Sequence, residues 1–154
     1  MTVRDRIHAD TRTAMKARDN IRLSTLRLIS AAIKDREIAA RGEDSEYPGL
    51  SDDDLVAILS RMVKQRQESA RAYEEGGRLE LAQKEQEEIA IIQDYLPRQL
   101  DEAEVRAAID RAITDLDATS LRDMGRVMGE LRARHTGQMD FGAVGPMVKN
   151  RLMG

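Results

Sequence analysis

An all-α fold follows from three features of this chain of 154 residues. Aromatic residues make up only 3% of it, so a core has to come from Leu, Ile, Val, Met and Ala. Those residues, together with the abundant Glu, Lys, Arg and Gln, are mostly good helix formers, and strand formers are sparse. Apolar residues also recur at helical spacing along the whole chain, and no run alternates as a strand does. Residues that start and stop helices fall between the periodic segments. The pattern predicts seven helices. Residues 1–96 are expected to form a bundle of long antiparallel helices, and residues 97–154 a small three-helix domain.

The elements follow in order. Thr2 caps a first helix running to about Arg18, with Val3, Ile7, Ala14 and Met15 on one face. After Asp19 and Asn20 comes a second helix to about Arg41, with Leu26, Ile29 and Ile33 as its stripe. Gly42 stands where a residue just past a helix end belongs. Residues 43–50 are polar and contain Pro48-Gly49, a loop signal. Ser51 caps a long third helix, and the run Asp52-Asp53-Asp54 suits its positive N-terminal end. Leu55, Ile58, Leu59, Met62 and Val63 form its stripe, Tyr73 extends it, and Gly76-Gly77 stop it. A fourth helix spans about Arg78 to Leu96, with Ala82, Ile89, Ile92 and Leu96 inward. Pro97 ends it, because proline disfavours helical geometry at the residue before it.

Asp101 and Glu104 read as a capping box for a fifth helix with Val105, Ala108, Ile109, Ala112, Ile113 and Leu116 inward. Thr119 or Ser120 caps a sixth, whose stripe is Leu121, Met124, Val127, Met128 and Leu131. Thr136-Gly137 end it. A last helix carries Val144, Met147, Val148 and Leu152. Pro146 inside it would remove a hydrogen bond unless it falls in the first turn, so the helix is expected to start nearer Gly145 than Asp140. No internal repeat or low-complexity tract interrupts this order.

Composition narrows the function. Cysteine is absent, which excludes disulfides, thiolate nucleophiles and cysteine metal sites and favours an intracellular, here cytoplasmic, location. Met1 to Ile7 lacks the apolar stretch of a secretory signal, and no run is apolar enough to span a membrane. The net charge of −3 conceals an uneven distribution. Residues 1–41 carry ten Lys/Arg against five Asp/Glu, residues 42–117 nine against twenty, and residues 118–154 six against three. Basic ends around an acidic middle can bind a polyanion, weakly overall.

Little here looks catalytic. His8 and His135 are far apart, and neither has a second histidine at ligand spacing. No nucleophile motif, P-loop or dinucleotide fingerprint is present. No metal or cofactor is expected. The sixth helix is more informative. Gly125 and Gly129, four residues apart, share one face, and each costs roughly 1 kcal/mol relative to Ala in a helix interior. At about 100° per residue they lie some 120° from the centre of the apolar stripe, with Arg122 and Arg126 just beyond them. Geometry alone favours a close helix crossing at the edge of the core. The alternative is a smooth strip, flanked by guanidiniums, that a phosphate backbone can approach. In the second helix Arg27, Lys34 and Arg41 recur every seven residues. The expected use of such a row is pairing with the acidic third and fourth helices, tracking phosphates being the alternative.

The whole chain resembles the GatB/YqeY family. The resemblance is carried by Met15-Lys16-Ala17-Arg18-Asp19 with Arg22-Leu23, Ala31-Ala32-Ile33-Lys34 with Glu37-Ile38, Lys64-Gln65-Arg66 with Glu68-Ser69, and Arg78 with Leu81-Ala82. Two further segments are more specific: Tyr95-Leu96-Pro97 with Gln99-Leu100, and Asp123-Met124-Gly125-Arg126-Val127-Met128-Gly129. The resemblance implies that residues 97–154 are like the tail domain of the B subunit of the tRNA-dependent amidotransferase, a small helical module that approaches the tRNA elbow. Residues 1–96 look like the family's own helical domain. The ATP- and Mg²⁺-binding catalytic portion of that subunit has no counterpart here, so the family's carbon–nitrogen ligase label does not transfer as an activity of this chain. The chain departs from the family pattern around Gly142 to Pro146, where a longer last helix is usual.

The resulting expectation is a tRNA-binding or amidotransferase-related accessory protein without a catalytic site, whose partners are tRNA, aminoacyl-tRNA or amidotransferase machinery. Arg122, Gly125, Arg126 and Gly129 are the expected RNA contacts, with Lys149 and Arg151 as supporting charges. The tail-domain resemblance decides for this reading of the glycine strip. The alternative is a helical protein–protein adaptor or oligomerisation module.

Overall fold

The computed structural model describes residues 2–43 and 48–154. Among them are seven α-helices, one 3-10 turn and no strand, so the chain is all-α. Half of the polar segment expected as a loop over 43–50, residues 44–47, lies outside the described residues. The chain divides into two compact units, Met1–Leu96 and Pro97–Gly154.

The first unit contains α1 (Val3–Ala17), α2 (Asn20–Glu43), α3 (Asp52–Glu75) and α4 (Leu79–Gln93). Capping chemistry sets their starts. The Thr2 hydroxyl accepts from the Asp5 amide and the Asp5 carboxylate from the Thr2 amide. Ser51 and Asp54 repeat this reciprocal arrangement at α3, so the run Asp52 to Asp54 occupies a helix's first turn, where its dipole favours negative charge. α1 ends at Arg18, which adopts a left-handed conformation at φ 56°. α2 carries on through Gly42 to Glu43 instead of stopping before it. Gly42 does not take the positive φ of a terminating glycine, and a helical glycine costs only about 1 kcal/mol.

α3 and α4 form an antiparallel hairpin about Gly76 and Gly77, the second of which has φ +74°. Arg66 and Glu88, eleven residues to either side of Gly77, meet at 3.0 Å with little exposure. α4 ends at Gln93, three residues before the expected stop. Residues 92–96 tighten into turn bonds, Tyr95 N–H to Ile92 O and Leu96 N–H to Gln93 O, both 3.0 Å. The core gathers Ile7 and Ala14 of α1, Leu26, Ile29 and Ile33 of α2, Leu55, Leu59, Met62 and Val63 of α3, and Ile89, Ile92 and Tyr95. Each fully buried aliphatic side chain is worth about 1.5–3 kcal/mol. Tyr95, 3% exposed, is the polar member. Its hydroxyl donates to the Asp10 carboxylate, the Arg6 guanidinium lies 5.1 Å from its ring centre, and Arg6 also donates to the Asp94 carbonyl at 2.9 Å. Burial, then the bond to Asp10, pushes the phenol above its ordinary pKa.

The second unit contains α5 (Glu102–Asp115), a 3-10 turn (Leu121–Asp123), α6 (Met124–Arg134) and α7 (Phe141–Met153). Its core is separate: Val105, Ile109 and Ala112 of α5, Val127, Met128 and Leu131 of α6, Met139, and Val144 and Val148 of α7. The segment before α5 is laced to the α6–α7 loop. Leu100 N–H donates to Gln138 O at 2.9 Å, Gln138 Nε2 to Arg98 O at 3.2 Å and Gln99 Nε2 to Gly137 O at 2.6 Å. α7 corrects one expectation. It starts at Phe141, capped by the Asp140 carboxylate on the Gly142 amide at 3.0 Å, and runs on through Pro146. The cap and the burial of Val144 and Val148 on the core side outweigh the one hydrogen bond that proline withholds.

Candidate nucleic-acid interface

The sixth helix begins with a compact piece of turn chemistry. The Thr119 and Ser120 amides both donate to Asp123 Oδ2, at 2.9 and 3.3 Å, and the Ser120 hydroxyl accepts from the Arg122 amide. These backbone bonds, the one from Thr119 foremost, together with the Arg126 side chain, hold the Asp123 carboxyl below its ordinary pKa. The turn they close carries Arg122, and α6 continues from it with Gly125, Arg126 and Gly129. All four are exposed.

The glycines settle one of the alternatives raised by their spacing. A methyl group added at Gly125 or Gly129 would meet no heavy atom within 4 Å. They therefore do not serve a close helix crossing within this unit; they face open space. α6 buries Val127, Met128 and Leu131 instead, and the glycine strip lies to one side of that face.

The four expected cations differ in how free they are. Arg122 and Lys149 are exposed and have no ion pair among the described residues. Arg126 donates through one terminal nitrogen to Asp123 Oδ1 at 3.0 Å and to the Leu116 carbonyl at 3.2 Å. Its side chain remains 56% exposed, and a guanidinium has further donors to offer. Arg151 pairs with Asp110 of α5 at 2.7 Å. On α7 it lies about 160° round the axis from Lys149. Arg151 instead borders a groove of about 460 Å³ with Arg106, Ile109, Asp110, Met147 and Asn150. Lys149 and Arg151 thus do not share a face.

One neighbour of the strip was missed by the sequence reading. Arg132 follows Gly125 by seven residues and Gly129 by three, so it stands on the same flank of α6. Its guanidinium lies 5.8 Å from the Phe141 ring centre, within reach of a cation–π contact. The seven-residue spacing was the available signal; the partner ring, from the next helix, was not visible in it. The strip is therefore bracketed by Arg122 before it and by Arg132 with a half-buried aromatic ring after it. The row Arg27, Lys34 and Arg41 of α2 does not pair with α3 or α4 as expected; all three are exposed and without an ion pair among the described residues.

No group of three or more His, Cys, Asp or Glu that could hold a metal ion occurs among the described residues, and no described helix is long and apolar enough to cross a membrane. What these features define is an all-α protein whose smaller unit presents a guanidinium-flanked glycine strip. A family model described as Yqey-like protein matches residues 4–152, and the chain belongs to that family, the GatB/YqeY family. Its curated relatives include "Altered inheritance of mitochondria protein 41, mitochondrial" of Lachancea thermotolerans, 33% identical over 109 residues, which are 70% of this chain and 56% of that protein. The protein of the same name in Eremothecium gossypii is 38% identical over 87 residues, 56% of this chain and 45% of the relative. That of Clavispora lusitaniae is 33% identical over 115 residues, 73% of this chain and 63% of the relative. The chain spans about half the length of these relatives. Because they are named as mitochondrial proteins, the cytoplasmic location expected from the sequence is overturned.

Proposed function

We propose that this chain is an accessory RNA-binding protein without a reaction centre of its own, and that its second unit holds the backbone of a folded RNA, tRNA in the first instance. The observation that carries this reading is the open glycine strip. Two helix-weakening residues remain on an exposed face that no packing explains, and Arg122, Arg126 and Arg132 surround them. A strip without side chains lets a phosphate backbone come within reach of those guanidiniums. Lys149 adds a free charge on α7, whereas Arg151, held by Asp110 on another flank, contributes at most through the general field. Phosphate contacts position an RNA without reading its sequence, and the unit offers one ring, Phe141, beside them. The resemblance to the amidotransferase tail domain supports tRNA and its amidotransferase machinery as the partners to test first.

The test is a titration of the full chain with bulk tRNA at two salt concentrations. With about three or four phosphates neutralised, log affinity falls with log salt at a slope of roughly −2 to −4, from an affinity in the micromolar range set by the opposing acidic middle. Arg122→Ala with Arg126→Ala weakens binding and flattens the slope while circular dichroism stays unchanged. A double variant that binds tRNA like the parent at low salt would show that the strip is not the contact.

A further inference from the structure

α2 is apolar on two opposite faces. Its inner stripe of Leu26, Ile29 and Ile33 is buried in the core of the first unit. Its outer face carries Ile21, Leu28 and Ile38, exposed at 56%, 43% and 60%. Ser24 and Ala31, both small and exposed, lie between them. Positions 21, 24, 28, 31, 35 and 38 advance in alternating steps of three and four, the spacing of a seam against which a second helix packs. Only Asp35 breaks its apolar or small character. Arg27 and Lys34 directly precede seam positions 28 and 35, and Arg41 continues their row seven residues on. Along one flank of the seam there is thus a cation at each heptad, roughly 10 Å apart. None of the three has an ion pair among the described residues.

We propose that the outer face of α2 docks an amphipathic helix of a partner protein whose apolar seam is flanked by acidic side chains. Charge selects this occupant. Two copies of α2 packed seam to seam would set the basic row against itself when antiparallel. When parallel, the row would lie beside Thr25, Ala32 and Ala39, so a flanking carboxylate would meet it in neither case. An RNA would satisfy the cations but would leave Ile21, Leu28 and Ile38 against phosphate. An acidic amphipathic helix satisfies both halves of the surface: its apolar side chains cover the seam, and its carboxylates meet Arg27, Lys34 and Arg41.

The full chain is titrated, by fluorescence anisotropy, with a labelled synthetic peptide of about three heptads bearing Leu at seam positions and Glu on the flanks. The controls are the same peptide with Lys for Glu and a scrambled Glu peptide. Saturable binding of the Glu peptide is expected, with both controls about tenfold weaker or more. Leu28→Glu with Ile38→Glu, at exposed positions that leave the inner stripe intact, lowers affinity by a similar factor. Arg27→Glu with Lys34→Glu reverses the preference in favour of the Lys peptide, a gain that misfolding cannot produce. Several outcomes overturn the proposal: equal binding of the scrambled peptide, variants that bind as the parent does, or no binding up to about 1 mM. Sedimentation showing a dimer that Leu28→Glu with Ile38→Glu dissolves would also overturn it, by assigning the face to a second copy.

Discussion

At Gly129 two demands on one position can be separated. The residue sits inside α6 with open space where a side chain would go. Gly129→Ala should therefore stabilise the protein by about 0.5–1 kcal/mol, because alanine loses less conformational freedom in a helix than glycine. Thermal denaturation of the full chain measures this; a drop in melting temperature would mean that the position is not open. If the strip serves a phosphate backbone, the same variant gains stability while weakening tRNA binding. The glycines were legible in the sequence as an anomaly, since their spacing and cost are read directly from residues 125 and 129. That no helix crosses close over them within the unit was not legible, because a helical period gives the flank on which a residue lies and not what stands opposite it. The pairing of Arg151 with Asp110, forty-one residues away, was hidden for the same reason.

Among the elements, the start of α5 is held by charge. Asp101 caps the helix and Glu104 answers it, while Arg98 reaches Glu104 with two bonds of 2.9 and 2.7 Å. The Arg98 side chain, then the Asp101 amide, lowers the Glu104 carboxyl from its ordinary 4.5 to about 2. A carboxyl depressed on folding lends stability that is fully present above the unfolded value and lost as pH falls through the folded one. The contribution of Glu104 should thus fade between about pH 4.5 and 2. Arg98→Ala should move the Glu104 midpoint, followed by NMR, up toward the ordinary carboxylate range. A midpoint unchanged by that substitution would show that the Arg98 pair is not its main cause. Caps of this kind were readable from spacing alone, as at Thr2, Ser51 and Asp101. Helix ends were less so: Gly42 and Pro146 are residues that often interrupt helices, yet tertiary burial or tolerable local cost carries α2 and α7 through them.

The molecule as a whole has two apolar core clusters with no member in common. Residues 97–154 expressed alone should therefore fold to a helical unit with a cooperative thermal transition. A unit of this size buries a modest share of its surface and should melt at low temperature. A fragment with the circular dichroism of a random chain would show that its core is insufficient. Helical class was visible in the periodicity, and the end of α4 ahead of Pro97 in proline's effect on its neighbour. The compartment was not, because an absence of cysteine does not distinguish the cytoplasm from other reducing interiors.

The contacts of Tyr95 with Asp10 and Arg6 also impose an order in time. Asp10 and Tyr95 are 85 residues apart in the chain, so α1 is made long before the side chain that locks it. At about 5–20 residues per second during synthesis, α1 waits roughly 4–17 seconds for that partner. Throughout that interval α1 has α2 to lie against but lacks the last residues of the unit, and its Asp10 end stays uncovered by Tyr95. A chaperone that engages this chain on the ribosome would find its opening there, and would lose it once residue 95 has emerged.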